Sequence, residues 1–387
     1  MLLIKFIQEI FLKEIKDNIF LMKLCVIYNF AAHYRQSIFK LMDDTFDCVW
    51  YFGKSNQDIK KMDYSIFSGK INEVETKILG GLTFQIGILK LLCKYDRFLM
   101  LGDSRSVSTW LFLLLAKFLP HKKVYLWSHG IYGKESFLQM FIKKIIFGLA
   151  NGIFLYNNYS KKLMIDKGFN SKKLYVIHNS LNYETQINLR NSIIPSNIYK
   201  QHFNNNNNNL IFIGRLTKVK KLDMLLNAVK LLKERGENYN ITFIGNGIEK
   251  VTLEHQCKEL GLENNVWFYG ACYDEHTNAE LIYNADLCVA PGNVGLTAIH
   301  TMVFGTPVLT HDDFKWQMPE FEAIIPGKTG NFFKKDHTID LAEKIGLWFE
   351  LYANSREIVR KFCYNEIDSS WTPKFQIEVL KNGMHLL

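Results

Sequence analysis

Two cations, Arg215 and Lys220, stand five positions apart in the stretch Ile211-Phe-Ile-Gly-Arg-Leu-Thr-Lys-Val-Lys-Lys-Leu-Asp223. The apolar run 210–213 ends at Gly214 and reads as a buried parallel strand, while Leu222, Leu225, Leu226, Val229 and Leu232 recur at helical spacing. The turn between them belongs at a carboxyl end of a sheet, the edge at which open α/β folds bind ligands. A helix amino terminus attracts anions through its free N–H groups and dipole, and Arg215 adds a planar fork matched to phosphate oxygens. The chemistry this pair suggests is holding a diphosphate. On these residues alone, a solvated basic turn is the alternative.

The elements that must position the turn continue along the carboxyl half. Residues 240–244 form a second strand closed by Gly245-Asn246-Gly247, and 266–270, 286–290 and 307–310 follow as further strands separated by helix-like sequence. That alternation is the signature of a doubly wound α/β domain. The amino half repeats it. Strands are expected at 23–27, 48–52, 98–101, 124–127 and 153–155, and the polar loop 29–34 opens a helix at Arg35. The loop Trp127-Ser-His-Gly-Ile-Tyr-Gly133 follows a strand, which places His129 at a ligand-binding edge. His33, Tyr34 and Arg35 form a second cluster there, for which a capped helix start is the alternative.

A chain of 387 residues with 48% hydrophobic content is long enough for two cores. The expected division is an amphipathic amino-terminal extension at 1–21, a first domain at 22–182, a linker at 183–209, a second domain at 210–365, and a last helix at 366–387 returning to the first domain. The linker is polar and ends in six consecutive asparagines, a composition that reads as a hinge without chemistry of its own. Seven scattered cysteines point to a reducing compartment, and none stands in a Cys-x-x-Cys pair, so no metal is expected.

The net charge of +9 favours an anionic partner. Basic residues do not interleave with aromatics on any nucleic-acid module, which ranks nucleic acid last. Residues 134–147 mix Phe137, Leu138, Phe141, Ile142, Ile145 and Ile146 with Lys143 and Lys144, a pattern for an interfacial helix on an anionic membrane or for an ordinary half-buried helix. The apolar run 110–119 is only long enough for a core helix.

Taken in order, these segments resemble the retaining nucleotide-sugar glycosyltransferases of family 4 (glycosyl transferases group 1). The pieces are Gly214-Arg215-Leu216 with Lys220, Ile244-Gly245-Asn246-Gly247, Tyr283-Asn-Ala-Asp-Leu-Cys-Val-Ala-Pro291, Gly295-Leu296, Phe304-Gly-Thr-Pro-Val308, Pro319-Glu320 and Gly327-Lys-Thr-Gly330. The resemblance covers residues 210–345 strongly and the remainder loosely. It implies the GT-B fold of two facing Rossmann-like doubly wound domains with parallel sheets. It further implies retaining transfer of a hexose-type sugar from a nucleoside-diphosphate sugar to a saccharide or polyprenyl-linked acceptor. Such a cytoplasmic enzyme, peripheral on the inner face of the membrane, would serve surface polysaccharide or glycan synthesis without metal or other cofactor.

The same resemblance assigns roles. Arg215 and Lys220 would stabilise the departing diphosphate, and His129 in the first domain's His-Gly loop would orient the donor sugar. Gly214, Gly245, Asn246, Gly247, Gly292, Asn293, Val294, Gly295, Leu296, Thr297 and His300 would line the donor site, and His33, Tyr34 and Arg35 the acceptor side. One departure stands out: the family's two glutamates fall here on Gly292 and His300. His300 can still hydrogen-bond a ribose hydroxyl, whereas Gly292 offers only backbone. The run 291–297 nevertheless suits a glycine-rich loop entering a helix, with free N–H groups for a phosphate. A GT-B nucleotide-sugar epimerase and a non-catalytic binding subunit are the rival readings.

Overall fold

The computed structural model describes residues 23–54 and 60–386, so the expected helix at 1–21 lies outside the described residues. The chain divides into one unit that runs to Ile177 and resumes at Ile377, and a second unit, His178–Gln376.

The first unit is built on seven parallel strands. In chain order these and one hairpin are β1 (Leu24–Tyr28), β2 (Cys48–Gly53), β3 (Lys70–Val74), β4 (Thr76–Leu79), β5 (Leu82–Gln85), β6 (Arg97–Leu101), β7 (Lys123–Ser128), β8 (Gly152–Leu155) and β9 (Leu174–Val176). The sheet order is β3-β2-β1-β6-β7-β8-β9, and β4 and β5 pair separately as an antiparallel hairpin. β1 is buried along its whole length because both faces are covered, as parallel sheets require. Leu24, Val26 and Tyr28 face a core with Phe39, Trp50 and Trp127, while Cys25 and Ile27 face one with Phe98, Phe112 and Leu126. The returning segment joins the first of these cores through Ile377, Leu380 and Met384, and Arg97 Nη1 donates to the Met384 carbonyl at 2.9 Å.

The second unit holds β10 (Asn208–Ile213), β11 (Tyr239–Ile244), β12 (Val266–Gly270), β13 (Leu287–Ala290), β14 (Val308–His311) and β15 (Gly330–Phe333), all parallel, in the order β12-β11-β10-β13-β14-β15. The helix Leu222–Glu234 buries Leu222, Leu225, Leu226, Val229 and Leu232, the face its spacing predicts. In each sheet the strand order reverses once, between β1 and β6 and between β10 and β13, and such switch points are where ligands enter.

Two expectations are corrected. The segment 183–209 is not a linker: it forms helices Tyr183–Ser192 and Ile198–Phe203 and the start of β10, inside the second unit. Tyr199 is buried with its hydroxyl on the Leu281 carbonyl at 2.6 Å, and Arg190 grips Asp368 with two bonds of 2.9 Å. The asparagine tract also has chemistry, because buried Asn240 Nδ2 donates to Asn205 Oδ1 at 2.9 Å and to Asn209 Oδ1 at 3.0 Å. A polar composition misleads here because amides that satisfy one another can be buried. The second correction is the helix Val107–Lys117: it buries Phe112 and Leu113 but exposes Leu111, Leu114 and Leu115.

Candidate active site

In the second unit the sequence-predicted residues gather at the switch point. β10 ends at Ile213, and a short 3-10 turn, Lys218–Lys220, precedes the helix Leu222–Glu234. The Gly214 N–H bonds the Ile244 carbonyl at 2.9 Å and the Leu216 N–H bonds the Asn246 carbonyl at 2.9 Å, so the loops after β10 and β11 lie against each other. Side chains at Gly245 or Gly247 would strike the backbone of Gly214 or Leu216, which explains that Gly-x-Gly.

Lys220 reaches across the switch point to the loop after β13. Its Nζ donates to Asn293 O and Oδ1, both at 2.7 Å, and its carbonyl accepts from the Gly292 N–H at 2.9 Å. Burial pushes the ammonium from its ordinary 10.5 down to about 8, with the Glu320 carboxylate opposing that shift and Arg215 assisting it. Arg215 itself is exposed at the rim. Thr297 Oγ1 ties the loop back to the Ile213 carbonyl at 2.7 Å.

The expectation of free N–H groups along 291–297 needs revision. The Val294 N–H is taken by Gln317 Oε1 at 2.9 Å and that of Gly292 by Lys220, and the following helix, Thr297–Met302, is short. Gly292 is also sterically fixed: a Cβ there would run into the Val219 carbonyl and the Lys220 backbone. His300 is engaged sideways. Its Nε2 lies 2.9 Å from Glu275 Oε1, which also accepts from Gln186 Nε2 at 2.8 Å. The carboxyl of Glu275 is held below its usual range, burial being outweighed by His300, Gln186 and Asn278. Sequence reasoning missed Glu275 and Gln317. Glu275 reads only as the start of a helix capped by Asp274, and nothing local marks Gln317.

The switch point of the first unit is a cavity of about 350 Å3, lined among others by Tyr34, Arg35, Asp103, Arg105, His129 and Lys143. His129 follows β7 and packs on Tyr156, ring centroids 4.6 Å apart. Its Nδ1 is buried without a partner. Burial, with Arg35 and Lys143 nearby, pushes its pKa down to about 4 against the pull of Asp103, so the imidazole is neutral at pH 7. Tyr34 and Arg35 line the cavity, whereas the His33 ring turns to the Lys60 carbonyl at 3.2 Å.

Comparison with known proteins bears on this geometry. Residues 194–365 match the family model described as glycosyl transferases group 1. A Klebsiella pneumoniae protein named "Uncharacterized 41.2 kDa protein in cps region" is 23% identical over 273 residues, 68% of this chain and 70% of that protein. An uncharacterized glycosyltransferase of Methanocaldococcus jannaschii, MJ1607, is 31% identical over 149 residues, 35% of this chain and 36% of its own length. Among solved structures, Anabaena HepE in complex with UDP superposes with a TM-score of 0.71 at 16% identity, covering 94% of this chain and 100% of that one. Its UDP-glucose complex gives a TM-score of 0.70 at 17% identity, with 95% and 100% covered. Residues 194–365 thus carry a likeness to glycosyl transferases group 1, and the chain has the two-sheet parallel α/β fold of GT-B glycosyltransferase structures.

Proposed function

We propose that this protein is a retaining glycosyltransferase that moves a hexose-type sugar from a nucleoside-diphosphate sugar to a saccharide or lipid-linked acceptor, in the synthesis of a surface polysaccharide or glycan. The observation that carries the reading is Lys220: a largely buried ammonium bonded to two neutral oxygens of Asn293, at the switch point of the stretch that matches the group 1 model. Desolvating a cation is costly, and an arriving diphosphate would recover that cost. The nucleotide complexes of HepE and the relative from a cps region support the same assignment.

In this mechanism the bond from the anomeric carbon to the diphosphate oxygen breaks as the acceptor hydroxyl oxygen bonds that carbon from the same face. The hydroxyl proton passes to the departing phosphate oxygen. Lys220 and Arg215 stabilise the charge that grows on the diphosphate, an electrostatic contribution realised mainly in the transition state. The loops at Gly214, at Gly245 to Gly247 and from Gly292 to Thr297 frame the donor, and neutral His129 offers a hydrogen-bonding ring nitrogen to a hydroxyl in the first unit's cavity. Neither a metal nor another cofactor is assigned a part. Incubation of the full chain with a panel of nucleotide sugars and acceptors, read by mass spectrometry, tests the reading. A product heavier by one sugar supports it, while an isomerised donor or binding without turnover sinks it in favour of an epimerase or a binding subunit.

A membrane surface is the proposed location of the acceptor. Helix Val107–Lys117 packs against both β5 and helix Phe137–Leu149, and all three elements show apolar groups outward: Leu114 is 47% exposed, Leu82 39% and Phe137 90%, with Leu79 on β4, the partner strand of β5, at 74%. Lys77, Lys117, Lys134 and Lys144 are exposed on the same elements or beside them, matching an anionic lipid surface. Among the described residues no helix is long and apolar enough to cross a membrane.

A further inference from the structure

The first unit's cavity holds a cation that the fold leaves uncompensated. Arg35 is only 8% exposed and is walled by aromatic rings, its guanidinium carbon lying 5.1 Å from the Tyr28 ring centroid, 5.3 Å from Trp127, 5.4 Å from Tyr156 and 5.9 Å from Phe39. Nη2 donates to the Tyr156 hydroxyl, itself 3.2 Å from that of Tyr28. Nη1 is buried with no partner. The other charges of the cavity are already matched. Lys143 bonds Glu135 Oε1 at 2.8 Å and the Gly130 carbonyl at 2.9 Å, and Arg105 holds Asp103 through Nη2 at 3.3 Å, Nε at 3.4 Å and its own backbone N–H at 2.9 Å.

A guanidinium cannot shed its charge by losing a proton, and burying it without a counter-ion is strongly unfavourable. Ring faces and phenol hydroxyls recover part of that cost. What remains is an unmatched positive charge with an unbonded donor, on a side chain that lines a cavity of about 350 Å3 at the strand switch point, a volume within the range of small-molecule sites.

We propose that this cavity binds the acceptor through an oxyanion on it, a carboxylate or a phosphate, with Arg35 as its counter-ion. The inference rests on the glycosyltransferase reading for the word acceptor, but the oxyanion site itself does not. A sugar carboxylate and a lipid-linked diphosphate share this chemistry, and both meet a planar donor fork well. His129 stays neutral beside Arg35 and is left to bond a hydroxyl.

The test is calorimetric titration of the full chain held saturated with UDP, so that the second unit's anion site is filled. The probes are methyl glucuronoside against methyl glucoside, and geranyl diphosphate against geraniol. In at least one pair the anionic member is expected to bind about tenfold tighter or better. That preference should vanish in Arg35→Met and be partly kept in Arg35→Lys, which retains charge without the fork. Preference in the glucuronoside pair identifies a uronic-acid acceptor, and preference in the diphosphate pair identifies a lipid-linked one. Equal binding of charged and neutral members in both pairs by the wild-type chain overturns the proposal, whatever the variants do. So does an Arg35→Met protein that melts cooperatively and keeps the preference. Where UDP does not bind, GDP, ADP and dTDP are tried in its place; failure of all four sinks the glycosyltransferase reading and leaves the oxyanion comparison to be read without it.

Discussion

The Nζ of Lys220 lies 2.7 Å from both the backbone and the side-chain oxygen of Asn293, seventy-three positions later in the chain. Dipoles, rather than a bonded carboxylate, hold this ammonium in place. A phosphate can therefore replace them without breaking an ion pair. Lys220→Ala is expected to lower turnover by about a hundred- to a thousandfold with the melting transition preserved, and Arg215→Ala to act in the same direction. Near wild-type transfer in both folded variants would remove the basis of the proposed mechanism. Arg215→Lys should recover only part of the loss, since a point charge lacks the fork.

The same lysine makes a pH prediction. Its pKa is lowered by burial to about 8, so above that pH the empty site loses its charge, and nucleoside-diphosphate affinity should fall as pH rises through about 8. Binding above that pH should take up a proton, visible as a buffer-dependent heat in calorimetry. The sign for stability is opposite: between about 8 and the ordinary 10.5 the unfolded chain holds more protons at this residue, so the Lys220 contribution to folding improves as pH rises across that window. An affinity flat from neutral pH to above pH 8 would show that Lys220 does not meet the nucleotide.

Restoring a glutamate at Gly292 should fail. Its Cβ would collide with the backbone of Val219 and Lys220, and overpacking of this kind costs about 1–3 kcal/mol. Gly292→Glu is expected to melt earlier and to bind nucleotide less well. His300→Ala should also destabilise, because Glu275 is left half-buried with one partner fewer, a loss of about 1–3 kcal/mol. Since the Glu275 carboxyl is held low, its stabilising contribution is present at neutral pH and lost as pH falls through the folded value; the wild-type advantage over the alanine variant should shrink in acid. Equal melting of the two proteins at neutral pH would count against this pairing.

Asn240→Ala should cost about 1–3 kcal/mol in urea unfolding, because the amides of Asn205 and Asn209 lose their buried partner. A freely hinging asparagine linker would predict no change.

Replacing Phe137 and Phe141 together by aspartate should reduce retention on anionic vesicles by about tenfold or more while leaving the melting temperature nearly unchanged, because both rings are exposed in the free protein. Vesicle flotation is the measurement, and undiminished retention would move the membrane contact elsewhere.

Patterns confined to a few residues settled what this chain builds. Runs such as 210–213, wholly apolar, and 241–244, apolar but for Thr242, seat buried parallel strands, and the spacing of Leu222, Leu225, Leu226, Val229 and Leu232 sets a helix face, because backbone geometry alone converts such periods into surfaces. The cations beside Gly214 were legible for the same reason: a turn between a strand and a helix has one place to point. What tertiary structure alone decided is who meets whom across the chain. Glu275 closing on His300, Gln317 taking the Val294 N–H, and Asn240 pairing with the asparagine tract depend on contacts between segments far apart in sequence. Arg35 is the sharpest instance. In sequence it is one basic residue at a helix start; in the fold, Tyr28 and Trp127 arrive from two strands and Tyr156 from the loop after a third, to join Phe39 of the helix that follows it in desolvating it, and only that burial turns an ordinary surface charge into one that calls for an anion.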